Sequence, residues 1–253
     1  MIYELTDHEW DSIEKYLPKS KSGRKPKDLR RTLSGIKWIL KNGGSWRSLP
    51  EYFGNWNSVY RYFCRLQEKQ VFENIFMELT KEADLQDVSI DSSFVSVNRS
   101  ALGAKKKDIE SSEQQHIGIS KGGQTTKIHA VVDALGYPIK LLLSAGNVND
   151  ITVAPKLIDE LNLKGSAVLA DKAYASTKFI DQIKSRGGYI CIPCSNSFVE
   201  RWEIDEYQYR ERHNVECFFK LLKDCRRIAT RYDKLARRFL AFIHFASILI
   251  WLK

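Results

Sequence analysis

The sequence predicts a helical N-terminal domain with a helix-turn-helix-like pattern, joined to a mixed five-stranded sheet flanked by helices, so an α+β or α/β chain. Three observations lead there. Apolar residues recur at helical spacing up to about residue 80, they alternate as in strands from Val88, and beyond residue 150 helical and strand patterns take turns. At 253 residues the chain has room for a small domain and a medium one, which we place at 1–80 and 85–253.

The first helix follows Thr6 or Asp7 as N-cap in LTDHEWDSIEKYLP, with Trp10, Ile13, Tyr16 and Leu17 on one face and Pro18 past its end. A basic linker, KSKSGRKPKD (19–28), precedes a longer helix, LRRTLSGIKWILKNG, closed by Gly43 and Gly44. Ser45 caps a short helix, Gly54-Asn55 makes a turn, and Asn57 or Ser58 starts another helix. On that helix Val59, Tyr62, Phe63 and Leu66 face inward, which leaves Tyr60, Arg61 and Arg65 to reach phosphates or base edges.

VSIDSSFVSV, TTKIHAVVDALG and YPIKLLLSAG are three strands, the last two a hairpin through Leu135-Gly136. DITVAPKLIDEL is a helix capped by Asp150; SAVLADKAYAS is an apolar strand, followed by the helix STKFIDQIKSRGG and the strand GYICIPC. Three antiparallel strands followed by alternating helices and parallel strands give a mixed sheet. ALGAKKKDIESSEQQ (101–115) is a polar loop. FLAFIHFASILIWL (239–252) is a buried C-terminal helix, too short for the roughly 20 residues a bilayer requires.

Composition narrows the function. Forty basic against 31 acidic residues leave a net charge of +9, concentrated between Lys19 and Arg47 and between Arg210 and Arg238. Such clusters attract polyanions, and counterion release gives them affinity for double-stranded DNA. Arg24 and Lys25 in the linker, with Arg61 and Arg65, are the DNA-binding candidates of the N-terminal domain. Five cysteines without an export signal argue against a disulfide framework, and Cys191-x-x-Cys194 in a strand-like run is core packing. No basic segment followed by an apolar one opens the chain, so the expected location is cytoplasmic.

Asp91 interrupts the first strand, where aspartate is disfavoured, and Asp171 leaves the apolar strand AVLAD at the edge where α/β sheets gather catalytic groups. Two carboxylates side by side repel unless a cation lies between them, and hard oxygen ligands select Mg²⁺ or Mn²⁺. A two-ion site can drive in-line phosphodiester displacement, but it needs a third carboxylate.

YQYRERHNVECFFKLLKDCRR (207–227) supplies one. With Tyr209 as zero on a helix, Arg212, Glu216 and Lys223 fall within about 60° of it, while Val215, Phe218, Phe219, Leu222 and Cys225 share an apolar arc. Ion-pair decoration of a surface helix needs no such segregation.

Tyr209-x-x-Arg212-x-x-x-Glu216, with Lys223 seven residues on, resembles the signature around the catalytic glutamate of bacterial insertion-sequence transposases of the DDE type. LADKAYAS and SIDSSFVSV resemble the segments around their two aspartates. GGQTTKIHAVVDALGYPIKLLLSAGNVNDI is similar to the stretch between them in the IS-five branch, and the N-terminal segments GRKPKDLR and GGSWRSLPEYFGNW are similar to its N-terminal domain. The resemblance runs over nearly the whole chain. It implies an RNase H-like fold and a metal-dependent site that cuts element ends and joins them to target DNA. It makes Asp91, Asp171 and Glu216 the catalytic, metal-binding triad, with two Mg²⁺ or Mn²⁺ ions. It also makes Tyr209, Arg212 and Lys223 DNA contacts near the cut, and it implies a homodimer acting on paired ends at the bacterial nucleoid. The interval from Asp171 to Glu216 holds only a helix and a strand, so the insertion domain of some relatives is missing there.

Two other classes compete: a nuclease on the same fold that only hydrolyses, and an inactive DNA-binding regulator of the element. Among lesser candidates, His129 and His213 are weighed as bases and declined. Asp133 is read as a turn residue, and Lys127 and Asn147 as possible lining of the site.

Overall fold

A computed structural model describes residues 3–18, 28–103, 115–194, 198 and 201–253. The linker candidates Arg24 and Lys25 lie outside the described residues. The chain divides into two compact units: 1–79 with 97–114 and 222–253, and 80–96 with 115–221.

In the first unit, α1 (Asp7–Glu14) starts at a capping box in which the Thr6 hydroxyl accepts from Glu9 N–H and the Glu9 carboxylate accepts from Thr6 N–H. Glu9 also forms a buried pair with Lys37, at 2.6 Å, on α2 (Leu29–Asn42). α2 is capped by Asp28 and ends at Gly43, whose φ of 68° is the left-handed conformation glycine adopts without strain. The expected short helix is instead two 3-10 turns, Trp46–Ser48 and Glu51–Phe53. Helix α3 (Trp56–Glu68) begins earlier than expected, because the Asn55 carboxamide accepts from the N–H groups of Asn57 and Ser58. Its inward residues Val59, Tyr62, Phe63 and Leu66 are buried, and α4 (Val71–Leu79) follows.

The second unit is the sheet: β1 (Asp87–Val97), β2 (Gly118–Ser120), β3 (Gly123–Val132), β4 (Pro138–Ala145), then α5 (Asp150–Ile158), β5 (Ala167–Leu169), α6 (Thr177–Ser185) and β6 (Tyr189–Cys191). β4, β3 and β1 are antiparallel neighbours, and β1, β5 and β6 are parallel ones. The order β4-β3-β1-β5-β6 contains the five expected strands in an RNase H-like arrangement. The short β2, pairing with the start of β3, was not expected. β5 is only three residues long but wholly buried, as a central parallel strand requires.

The predicted helix over 207–227 is broken into α7 (Glu206–Tyr209), a 3-10 turn (Arg210–Arg212), α8 (His213–Lys223) and α9 (Arg226–Ala229). The break before α9 puts Cys225 in an extended conformation, and Arg227 beyond it is buried against Asp233. A short β7 (Thr230–Arg231) leads to α10 (Ala236–Trp251).

Residues 241–250 of α10 are all buried, so the helix needs apolar neighbours on every side. In the first unit α3 and α4 supply them: Phe242 stacks on Phe63 with ring centroids 4.4 Å apart, and Phe245 meets Phe72 at 4.9 Å. The compact units thus cut across the 85–253 segment, since its last helices group with the N-terminal ones. No helix among the described residues is long and apolar enough to cross a membrane. None of the five cysteines is in a disulfide.

Candidate active site

The parallel ladder between β1 and β5 ends at Ser89 opposite Leu169. Asp91 stands two residues further along β1, and Asp171 two residues past the end of β5. Asp91 Oδ1 accepts from Ser92 N–H at 2.8 Å. Asp171 Oδ1 accepts from Ala173 N–H at 2.7 Å and so caps the 3-10 turn Lys172–Tyr174.

Three contacts place α7 and α8 on the sheet. Gln208 Nε2 donates to Asp87 Oδ1 at 2.8 Å, at the start of β1. The Tyr209 ring packs on Ala167, Leu169 and Cys191 of β5 and β6. Asn214 Nδ2 donates to Ala134 O at 3.0 Å in the β3–β4 turn. Val215, Phe218 and Phe219 are buried as the predicted arc requires, which turns Arg212 and Glu216 toward Asp91.

Arg212 joins two of the three carboxylates. Its Nη1 lies 3.4 Å from Asp91 Oδ2, and its Nη2 donates a short hydrogen bond to Glu216 Oε1. Its guanidinium also lies 6.0 Å from the Tyr209 ring centroid. Burial above all, with the charges of Asp171 and Glu216, pushes the Asp91 carboxyl above its ordinary range; the Ser92 N–H and Arg212 pull it back. A carboxyl perturbed by burial and by specific charged neighbours is a candidate functional group.

Among the described residues no three His, Cys, Asp or Glu side chains stand close enough together to hold a metal ion. Asp91 and Glu216 are held by one arginine, while Asp171 caps its own turn. The donor set still fits a divalent cation by its chemistry, three anionic side chains with hard oxygens, two of which share the Arg212 guanidinium.

The other predicted residues are dispersed. Lys223 ends α8, half-buried, with burial lowering its pKa. Arg61 and Arg65 lie exposed on α3. Tyr60, expected to face outward, is half-buried, and its hydroxyl accepts from Arg238 Nη1 at 2.7 Å. Asp133 takes the turn role expected of it, accepting from the N–H groups of Leu135 and Tyr137.

Asp150 is not the helix cap read from the sequence. Asn149 holds the cap position without a side-chain bond, and Asp150 instead pairs with Lys127 Nζ at 2.8 Å. Lys127 also donates to Val148 O at 2.8 Å, and its side chain is 7% exposed. Beside them His129 is buried, its Nε2 2.7 Å from Ser144 Oγ and its Nδ1 3.8 Å from Asp150 Oδ1. Burial pushes the imidazole down to about 4, so it is neutral at physiological pH. Sequence reasoning passed over Tyr174 altogether. The available signal was an aromatic three residues after Asp171, in a turn that the aspartate itself caps.

The sheet thus carries one aspartate on β1, a second just past the end of the neighbouring parallel strand β5, and a glutamate on α8 linked to the first through Arg212. The chain belongs to the family described as "Transposase DDE domain", which it matches over residues 82–251, and residues 5–76 match "Putative transposase of IS4/5 family". It is 39% identical over 132 residues to "Putative transposase for insertion sequence element IS6501" of Brucella ovis, covering 51% of this chain and 99% of that one. It is 34% identical over 104 residues to "Uncharacterized protein y4sN" of Sinorhizobium fredii, covering 40% of this chain and 83% of that one. Among solved structures it aligns with a pre-cleavage Mos1 transpososome at 11% identity, 82% of each chain and a TM-score of 0.31. A Mos1 mariner paired-end complex with Mn aligns at 12% identity, 82% of each chain and a TM-score of 0.30. Likeness at that level establishes neither fold nor function.

Proposed function

We propose that this DDE-family chain is an active transposase that binds the ends of a mobile element, cleaves phosphodiesters there and joins the freed 3′-OH to target DNA. The observation that carries the reading is Arg212 held between Asp91 and Glu216, with Asp171 close enough to raise the Asp91 carboxyl. A structural ion pair has no use for three carboxylates.

In this reading Asp91, Asp171 and Glu216 hold two Mg²⁺ or Mn²⁺ ions. Bound there, the ions would supply Lewis acidity toward the attacking and leaving oxygens of an in-line displacement. Arg212 has a planar fork suited to a phosphate oxygen pair, and it can trade its carboxylates for the DNA backbone. Tyr209 supports that guanidinium with its ring, and Lys223 adds a further cation near the cut. Arg24, Lys25, Arg61 and Arg65 serve the N-terminal DNA-binding segment, 1–80, while 85–253 carries the chemistry. The chain works in the bacterial cytoplasm as a homodimer, so that two element ends are processed together.

The test is a strand-transfer assay with pre-cut element ends in Mg²⁺. Joined product supports the transposase. Hydrolysis without joining would make the chain a nuclease on this fold, and binding without either reaction would make it a regulator.

A further inference from the structure

Backbone hydrogen bonds do not set the spacing of Asp91 and Asp171, because the ladder between their strands stops at Ser89 and Leu169. Something beyond the ladder has to. Tyr174 is placed to do so. It closes the turn that Asp171 caps, its side chain is 1% exposed, and its hydroxyl faces Ser92, the residue whose N–H holds Asp91. One side chain therefore reaches from the Asp171 turn to the Asp91 strand.

The phenol is an unusual choice for a mere wedge. Its hydroxyl is buried and closes no hydrogen bond at ordinary distance, although it lies in the field of Asp150, Asp91 and Asp171 together. Leaving such a donor without a partner costs stability, and a phenylalanine would avoid the cost. The turn that carries Tyr174 packs against α5, whose first residue, Asp150, is pinned by Lys127. The anchoring layer is itself stiff: Lys127 is held by two acceptors, and His129 is fixed by Ser144.

We propose that Tyr174 is a positioning residue that sets the separation of Asp91 and Asp171, and through it the affinity of the site for a divalent cation. The proposal rests on those aspartates being metal ligands. The ring sets the distance, and the O–H dipole favours two carboxylates held close. Groups that orient metal ligands from behind alter affinity by about 10–100-fold when removed.

The experiment measures Mn²⁺ affinity of the full chain, without DNA, by the electron paramagnetic resonance signal of free Mn²⁺, alongside thermal unfolding. Tyr174→Phe keeps the ring and should weaken Mn²⁺ binding about tenfold, with the unfolding midpoint at or above that of the parent. Ser92→Ala removes the facing hydroxyl, should shift affinity in the same direction, and decides the matter if Tyr174→Phe does not fold. Asp91→Asn separates the two levels of inference. If it abolishes Mn²⁺ binding while Tyr174→Phe and Ser92→Ala bind like the parent, the positioning role is overturned and the metal site stands. A lowered midpoint with unchanged affinity overturns it equally, since that is what a packing residue does. If Asp91→Asn binds Mn²⁺ like the parent, the metal-ligand reading itself fails, and the proposal with it.

Discussion

Two arginines show how one type of contact serves different ends. Arg227 meets one carboxylate, Asp233, with Nε and Nη2 at 2.9 and 2.7 Å, and both side chains are 6% exposed. Its third nitrogen donates to Gly44 O at 3.1 Å. The charges match and the donors are used, so the pair is sealed. Arg212 is shared between two carboxylates, with a third nearby, and its partners Asp91 and Glu216 are 25% and 45% exposed. That group is short of positive charge and open to solvent. A matched, closed pair stabilises a fold, whereas a mismatched, open one awaits a ligand.

The largest effect that can break this comparison is on chemistry. Asp91→Asn, Asp171→Asn and Glu216→Gln should each reduce cleavage of element-end DNA in Mg²⁺ by on the order of 10²–10³-fold or more, with circular dichroism unchanged. A variant that still cleaves at the parent rate removes its residue from the site. Next comes stability. Arg227→Met strands a buried carboxylate and should cost about 3–5 kcal/mol in urea unfolding, most of it recovered in the double variant Arg227→Met with Asp233→Leu. Arg212→Gln, in a half-open group, should cost less than about 1 kcal/mol. Equal losses at the two arginines would erase the distinction drawn between them.

A smaller effect concerns pH. Without the Arg212 guanidinium, burial and the neighbouring carboxylates act on Asp91 with less opposition, so its carboxyl titrates higher still. The acidic limb of the cleavage profile should therefore move to higher pH in Arg212→Gln. Stability follows with a definite sign. A carboxyl whose folded pKa is raised contributes stability below its unfolded pKa, and that contribution is lost as pH rises through the folded pKa. The variant should lose more stability than the parent between mildly acidic and neutral pH, read from urea midpoints. Smallest of all, Arg61→Ala and Arg65→Ala should each weaken DNA binding uniformly across sequences. If each arginine neutralises one phosphate, the slope of log affinity against log salt falls by about 0.9 per variant.

Much of the candidate site was legible because it depends on local facing. The arc of Val215, Phe218 and Phe219 follows from helical spacing, and burial of that arc turns Arg212 and Glu216 one way. Alternation in SIDSSFVSV placed Asp91 within a strand, and the apolar run before Asp171 placed that residue at the end of another; the two strands are parallel neighbours. Asp150 misled, since an aspartate at a helix start is commonly a cap, and only the β3–β4 hairpin brings Lys127 within reach of it. The break at Cys225 had no glycine or proline to announce it; it follows from burying Arg227 against Asp233.

By itself, then, the sequence determined the strand and helix order, the three acidic side chains and the face on which Glu216 sits. All of these follow from spacing along a few turns of chain. Tertiary structure alone decided that Arg212 bridges Asp91 and Glu216, that Lys127 takes Asp150 from its cap, that Tyr174 reaches Ser92, and that α10 packs with α3 and α4. Those pairings join residues distant in the chain, and they are selected by which buried polar groups find partners and which apolar faces find cover.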